Sequence, residues 1–433
     1  MDRRWPLVLD GLDAETPPCS TGPLVALRQR VIAQQLDRRL LARTVARAAR
    51  RGACGPRQLR AALASRPRWG AGRVEEPDTL VGHALRKALS VLARQQGRGL
   101  RAVAEEAGAS LVAGPSLPAA VDVDWDAPRA QQHALPLLLD TLSAVAHGLE
   151  TPPAPAATAS QGAATRTVAQ PGQAQDSVTT PEGPPTLRHG VAAERRLSVE
   201  EAERRHGRKR RRLLGDGDKR PVLRALDSRL LVAVDSTPAH APEASVPAAS
   251  AMDLAAQQCT RRAWPMDRAS LASPRGQPRT ETWAMFCQAG PVRQGPYLPT
   301  RAFQLAGERY ELRGPGGATM PFAPGGVGKC PAAPCGPGVL RERCTASASG
   351  RRGSRHPEEA LWQELRERPQ TAQGRAPLRA RVAVEHALAH VGRWQGRRAR
   401  YRGVRKKGFD LRRCAVVHNL HVLIHLPQIG QAA

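Results

Sequence analysis

The sequence predicts a largely helical chain with at least one buried strand. Three observations carry that reading: amphipathic helical stretches over residues 24–49 and after Asp78, a short apolar run at Leu230–Val234 that stops on Asp235, and an apolar helix close to the C terminus. In the first stretch Leu24, Leu27, Val31, Leu36, Leu40, Leu41 and Val45 recur at helical spacing with arginines on the other face, and Gly52, Gly55 and Pro56 end it. The second follows Asp78 as N-cap and sets Val81, Ala84, Leu85, Ala88, Leu89 and Leu92 on one side before Gly97 and Gly99. A third helix is expected over 129–149, bent at Pro136. The run Leu230–Val234 (LLVAV) reads as a buried strand. Near the C terminus Arg381–Val391 reads as one helix and Ala415–Leu426 (AVVHNLHVLIHL) as a second.

Three regions follow from this pattern. Residues 1–150 are mostly helical. Residues 151–190 are rich in Pro, Ala, Thr, Gln and Gly with almost no bulky aliphatic side chains, so they cannot bury enough surface to offset the entropy of ordering and are expected to be a flexible linker. Residues 191–433 hold the rest, with long low-complexity loops; the Gly/Pro-rich stretch 289–355 is expected to offer little regular structure. There is no internal repeat.

Composition narrows the function. The chain has 433 residues, with 66 Lys+Arg against 38 Asp+Glu and a formal net charge of +28. That excess favours a polyanionic partner. Only six of the basic residues are lysine, and alanine, glycine and proline abound, so a G+C-rich coding sequence accounts for part of the arginine content. No stretch approaches the roughly 18 apolar residues that cross a bilayer, and MDRRWPLVLDGLD lacks an uninterrupted apolar segment behind its basic start. Membrane and secreted classes are excluded on that reading, and a cytoplasmic location is expected. Aromatic residues are 3% and hydrophobic residues 41%, so the cores must be aliphatic.

Two chemistries are tested and set aside. Cys330, Cys335 and Cys344 are separated by four and eight residues and lack the paired C-x2-C knuckles of a structural zinc site, so reduced thiols are expected. The segment GGVGK at 325–329 is followed by Cys330, lacks the full phosphate-loop spacing and is expected in a loop without a following helix. A third pattern is more informative. Arg381-Val-Ala-Val-Glu385 opens a helix that leads into the basic run from Arg393 to Lys407. A carboxylate that holds a divalent cation beside groups that grip phosphates is what phosphodiester chemistry needs.

The segment RVAVEHALAHVGRWQGRRARYRGVRKKGFDLRRCAVVHNLHVL resembles the C-terminal signature of DDE transposases from bacterial insertion sequences, in the branch with a cysteine-bearing insert before the final catalytic glutamate. Upstream, in order, LVALRQRVIAQQLDRRLLARTVARAAR, WGAGRVEEPDTLVGHALRKAL, LSVEEAERRHGRK, VDSTPAHAPEAS and MDRASLAS also resemble the family, so the likeness spans about 24–426. The resemblance implies a ribonuclease-H-like α/β core interrupted by a mostly helical insert, with the first core strand near Ala64 and the cysteine-bearing insert near 310–350. It further implies three acidic residues holding two Mg²⁺ ions for strand cleavage and transfer at element ends.

Carried over residue by residue, the third carboxylate is Glu385, preceded by the family's arginine at Arg381, and the second is Asp267, with Ser270 in place of a tyrosine. The metal ligands are thus Asp267 and Glu385. The family's first aspartate falls on Ala64, which cannot ligate a metal, so this copy is expected to be catalytically impaired. Asp235, at the end of the LLVAV strand, is the alternative first carboxylate. Gly314 and Gly338 replace two of the insert's cysteines while Cys335 and Cys344 remain, and Asp218 replaces a tyrosine before Lys219. DNA contacts are assigned to Arg205, Arg208, Lys209, Lys219, Arg397, Arg398, Arg400 and Arg402. The implied partners are DNA bearing inverted-repeat ends and a second copy of the chain, with no membrane partner. The second functional reading is a DNA-binding remnant without catalysis that inhibits an active transposase through mixed assembly.

Overall fold

A computed structural model describes residues 20–51, 59–75, 77–114, 177–178, 186–187, 195–210, 213–258, 261–265, 284–287, 297–299, 302–306, 311–321, 327–330, 339–347, 350–354 and 359–425. The helix expected over 129–149, most of the linker and Asp267 lie outside those residues. The chain divides into two compact units, residues 1–261 with 384–433, and residues 262–383.

In the first unit the N-terminal stretch is two helices, not the single one its periodicity suggested: α1 (Thr21–Ala33) and α2 (Leu36–Arg50). The break falls at Gln34 and Gln35, where Gln35 takes a positive φ of 52° and so cannot continue a helix. The first strand, β1 (Leu59–Trp69), is followed by three helices, α3 (Pro77–Gln96), α4 (Leu100–Glu106) and α5 (Ser110–Ala113). These three share a core of Val81, Leu85, Leu89, Val103 and Val112, the stripe that the 3.6-residue period places on one side of α3. Helix α3 starts on Pro77, which suits the first helical position because its missing N–H has no intrahelical partner there.

The sheet of this unit is built on β3 (Leu213–Ala225). Strand β1 lies antiparallel along one edge of it, with Ala64 opposite Val222 and Arg66 opposite Arg220. Three strands line the other edge: β2 (Arg205–Arg210), β4 (Leu231–Val234) and β5 (Thr237–Pro238). The LLVAV strand therefore forms one residue later than its apolar run begins. A short helix, α6 (Ala251–Ala256), follows.

In the second unit, strands β6 (Arg261–Pro265) and β7 (Ala284–Phe286) pair in parallel. The Gly/Pro-rich stretch, expected to be irregular, forms a three-stranded antiparallel meander of β8 (Gln304–Ala306), β9 (Glu311–Arg313) and β10 (Thr319–Pro321). It also forms a ladder of β11 (Val327–Lys329) with β12 (Arg352–Ser354), so the GGVGK segment lies partly on a strand and not in a loop. Phe303, Leu312, Met320 and Cys330 make a small core here, and the Arg351 guanidinium stacks 4.8 Å from the Phe303 ring centre. That core gives a short, glycine-rich sequence enough burial to hold strands. Helices α7 (Glu359–Glu367) and α8 (Ala372–Ala380) follow, the latter capped by the Thr371 hydroxyl, which accepts from the Gly374 N–H at 3.0 Å. Within the expected linker, residues 177–178 pair with 186–187.

The C-terminal helices are α9 (Val382–Gln395) and α10 (Val404–Ile424). Helix α10 starts eleven residues before the apolar stretch that predicts it, inside the basic run. From the first unit, Leu41, Ala62, Ala64, Val222, Val234, Val384, Leu388, Leu411 and Ala415 form one apolar cluster under α2, α9 and α10. Alanines on β1 let the helices approach the sheet closely. Asn419, fully buried, stitches α10 to the edge of β4: its Nδ2 donates to the Leu231 carbonyl at 2.9 Å and to Thr44 Oγ1 at 2.9 Å, and its Oδ1 accepts from the Leu231 N–H at 2.8 Å. The side chain replaces a missing strand neighbour.

Candidate functional site

Strand alternation sends Ala62, Ala64, Arg66 and Arg68 to the face of β1 that α9 and α10 cover. Ser65, on the other face, donates to Glu243 Oε2 at 2.9 Å. Ala64 is on a strand and only 5% exposed, packed in the apolar cluster with Val384 and Leu388. One turn of side chains further on, Glu385 stands in the first turn of α9, its side chain 37% exposed, with the Arg66 guanidinium 3.5 Å from its Oε2. Arg220 lies opposite Arg66 in the strand register, and burial together with the nearby Arg68 lowers its guanidinium to about 10. The Arg220 guanidinium itself reaches further along α9, donating to Gln395 Oε1 at 3.4 Å, so Arg66 is the cation that faces Glu385.

Below it lies a set of buried charges that sequence reasoning missed. Arg68 donates to Asp218 Oδ2 through Nη2 at 2.7 Å and Nε at 3.1 Å, and its Nη1 is 3.8 Å from Asp410. Asp218 also accepts from Ser236 Oγ at 2.9 Å and faces Lys407 Nζ at 3.1 Å, while Lys407 pairs as well with Glu201. Gln395 donates to Asp410 at 2.7 Å. The Asp218 that departs from the family's tyrosine is thus the acceptor at the centre of this set. A second set joins α2, α6 and α10: Arg412 reaches Asp253 at 3.2 Å and Asp37 at 3.5 Å, Arg38 reaches Asp253 at 2.9 Å, and Arg405 reaches Asp37 Oδ2 at 2.9 Å. Buried ions persist only when such partners and hydrogen bonds surround them.

Asp235 ends β4 and is held by that second set. Its Oδ1 accepts from the Ser236 N–H at 2.8 Å and lies 3.8 Å from Arg412. Burial raises its carboxyl above the ordinary value, against the lowering pull of Arg412 and the Ser236 N–H. Asp267 lies outside the described residues.

The residues assigned to DNA are divided by the fold. Gly396 and Gly403, with φ of 78° and 84°, bracket a loop that needs a left-handed residue at each end. That loop is fixed to the end of β1, where the Trp69 N–H donates to the Arg397 carbonyl at 3.0 Å and the Ala399 N–H to the Trp69 carbonyl at 2.8 Å. Arg397, Arg398, Arg400 and Arg402 are exposed on it, beside a Trp69 that is itself 44% exposed. Arg205 is half-buried and bonds the Arg204 carbonyl at 2.9 Å. Arg208 and Lys209 lie on β2. Lys219 is buried, with its ammonium 3.0 Å from Glu243 and 2.6 Å from the Ala241 carbonyl, and Lys407, from the basic run, is buried with it.

Residues 328–424 match the family model described as Transposase DDE domain. That match supports a DDE-type transposase. Glu385 and the arginine loop fall inside the matched stretch. No curated protein and no solved structure matches the chain.

DDE transposase domains generally use divalent metal ions. The described residues do not fit one: no group of three or more His, Cys, Asp or Glu side chains among them is placed to hold a metal, Ala64 offers a methyl group, and Glu385 faces a guanidinium. Cys287, Cys330, Cys344 and Cys414 are free thiols, and Cys335 lies outside the described residues. No helix among the described residues is long and apolar enough to cross a membrane.

Proposed function

We propose that the chain is a transposase-family protein that binds the DNA ends of an insertion sequence through a ribonuclease-H-like core, and that strand cleavage and joining is impaired in this copy at position 64. The match over 328–424, which contains Glu385 and the exposed arginines of the 396–403 loop, is the observation that carries this reading. The antiparallel pairing of β1, β3 and β4, with α9 packed across β1, supports the core assignment. In active members of such a family a metal pair activates the attacking oxygen and stabilises the leaving one. The arginines of the loop would neutralise backbone phosphates and orient the duplex beside Trp69. Glu385 would contribute one of the acidic positions and Asp267 another. The Ala64 methyl favours the related reading of a DNA-binding remnant that inhibits active copies by mixed assembly.

The test is nicking of duplex DNA carrying the element's own ends, with Mg²⁺, by three proteins: the chain as given, Ala64→Asp, and Ala64→Asp with Glu385→Ala. Background cleavage, a gain, and loss of that gain are the expected results. Circular dichroism must show each variant folded, because Ala64→Asp introduces a carboxylate into an apolar cluster. Efficient cleavage by the unaltered chain refutes the impairment, and a gain in Ala64→Asp that Glu385→Ala leaves intact refutes the role of Glu385.

A further inference from the structure

Away from Glu385 the first unit carries an open groove of about 1380 Å³, walled by α3, by the segment around 196–203 and by residues 402–406. Seven guanidinium or ammonium groups line it against three carboxylates. Lys87, Ser90 and Arg94 recur at helical spacing, so the groove-facing stripe of α3 carries two cations about 10 Å apart along the axis. Arg402 and Lys406 face them from the other wall. Between the walls stands Glu200, its carboxylate 3.4 Å from Lys87 Nζ on one side and 3.5 Å from Arg402 Nη1 on the other.

Glu200 is presented there by a fixed backbone. The Val199 N–H donates to Glu75 Oε2 at 2.8 Å, the Glu75 N–H donates to the Leu197 carbonyl at 3.0 Å, and the buried Arg196 guanidinium donates to the carbonyls of Ser198 and Val199 at 3.0 and 3.2 Å. A carboxylate bridging two cations from opposite walls occupies the position of a phosphate. Both of its ion pairs involve half-exposed side chains, and such pairs add little to stability. A polyanion whose binding releases counterions therefore displaces it readily.

We propose that this groove seats a DNA phosphate backbone and that Glu200 is its built-in competitor, holding Lys87 and Arg402 until a phosphate replaces it. The proposal rests on the DNA-binding reading above and extends that surface, through the shared Arg402, onto α3 with its own regulation.

The experiment is fluorescence anisotropy of the full chain with a labelled duplex of arbitrary sequence, between about 50 and 200 mM KCl. Glu200→Gln should tighten binding by about threefold, and Lys87→Gln with Arg94→Gln should weaken it by about tenfold and flatten the slope of log K against log salt by about 0.9 per lost contact. Glu200, Lys87 and Arg94 are exposed, so the fold survives their replacement. An unchanged or weaker affinity in Glu200→Gln overturns the competitor, and an unchanged slope in the double variant overturns the groove. Displacement of the duplex by polyglutamate at equal charge concentration overturns DNA as the occupant in favour of an acidic protein segment. Arg397→Ala with Arg398→Ala and Arg400→Ala separates the two levels: binding that falls with this variant but ignores the groove variants refutes only the groove, whereas no binding by the unaltered chain refutes the DNA-binding reading itself.

Discussion

Replacing Lys407 by methionine isolates the buried charges under the candidate site. Its ammonium is 2% exposed and lies between Glu201, which is fully buried, and Asp218 at 3.1 Å. Methionine fills nearly the same volume, so packing is preserved and only the charge is lost. Asp218 keeps Arg68 and Ser236, but Glu201 is left with the Gly72 N–H at 3.3 Å as its hydrogen bond and the nearby Arg204 as its one remaining cation among the described residues. Removing one partner of a buried pair costs about 3–5 kcal/mol because the other charge stays behind in a poorly solvated place. For a unit of this size that corresponds to a fall in thermal midpoint of about 10 °C. Glu201→Gln added to Lys407→Met removes the stranded charge and should return about 1–2 kcal/mol of the loss. Differential scanning fluorimetry of the wild type, Lys407→Met, Glu201→Gln and the double variant measures this cycle. A Lys407→Met protein within about 1 kcal/mol of wild type would refute the reasoning, since the carboxylates would then have to be neutral or hydrated without Lys407.

Asn419→Leu should destabilise by about 2–4 kcal/mol, because it strands the buried N–H and C=O of Leu231 together. Urea denaturation reads the loss, and accelerated exchange of the Leu231 amide should accompany it; a change under about 1 kcal/mol would show that the strand edge finds other partners. His418 titrates below its ordinary value of 6.5 because burial disfavours its charged form, with Arg224 adding to the effect and its bond to the Arg229 carbonyl opposing it. Below pH 6.5 the unfolded chain therefore takes up a proton that the folded one resists, and stability falls until the folded ring is itself protonated. His418→Gln should flatten that part of the denaturation midpoint's pH profile; an unaltered profile assigns the dependence to other groups.

The helices were legible because burial of an aliphatic stripe needs only a local period. Val81, Leu85 and Leu89 marked α3, the pattern of Arg381–Val391 marked α9, and the apolar run before Asp235 marked β4. The departures at Ala64 and Asp218 were also visible residue by residue. Periodicity could not show where an arginine or lysine points, because a charge is buried only when a remote segment brings its counter-charge. The run from Arg393 to Lys407 looked uniform in sequence, yet Arg397, Arg398 and Arg400 are exposed while Lys407 meets Glu201 and Asp218 inside. For the same reason Arg412, Asp37 and Asp253 carried no local signal, being distant in sequence and joined only where α2, α6 and α10 converge. Local period determined the long helices and the β4 strand, burial around Phe303 and Leu312 decided the strands of the Gly/Pro-rich stretch, and the pairing of charges across the tertiary structure decided which cations remain free to meet a phosphate.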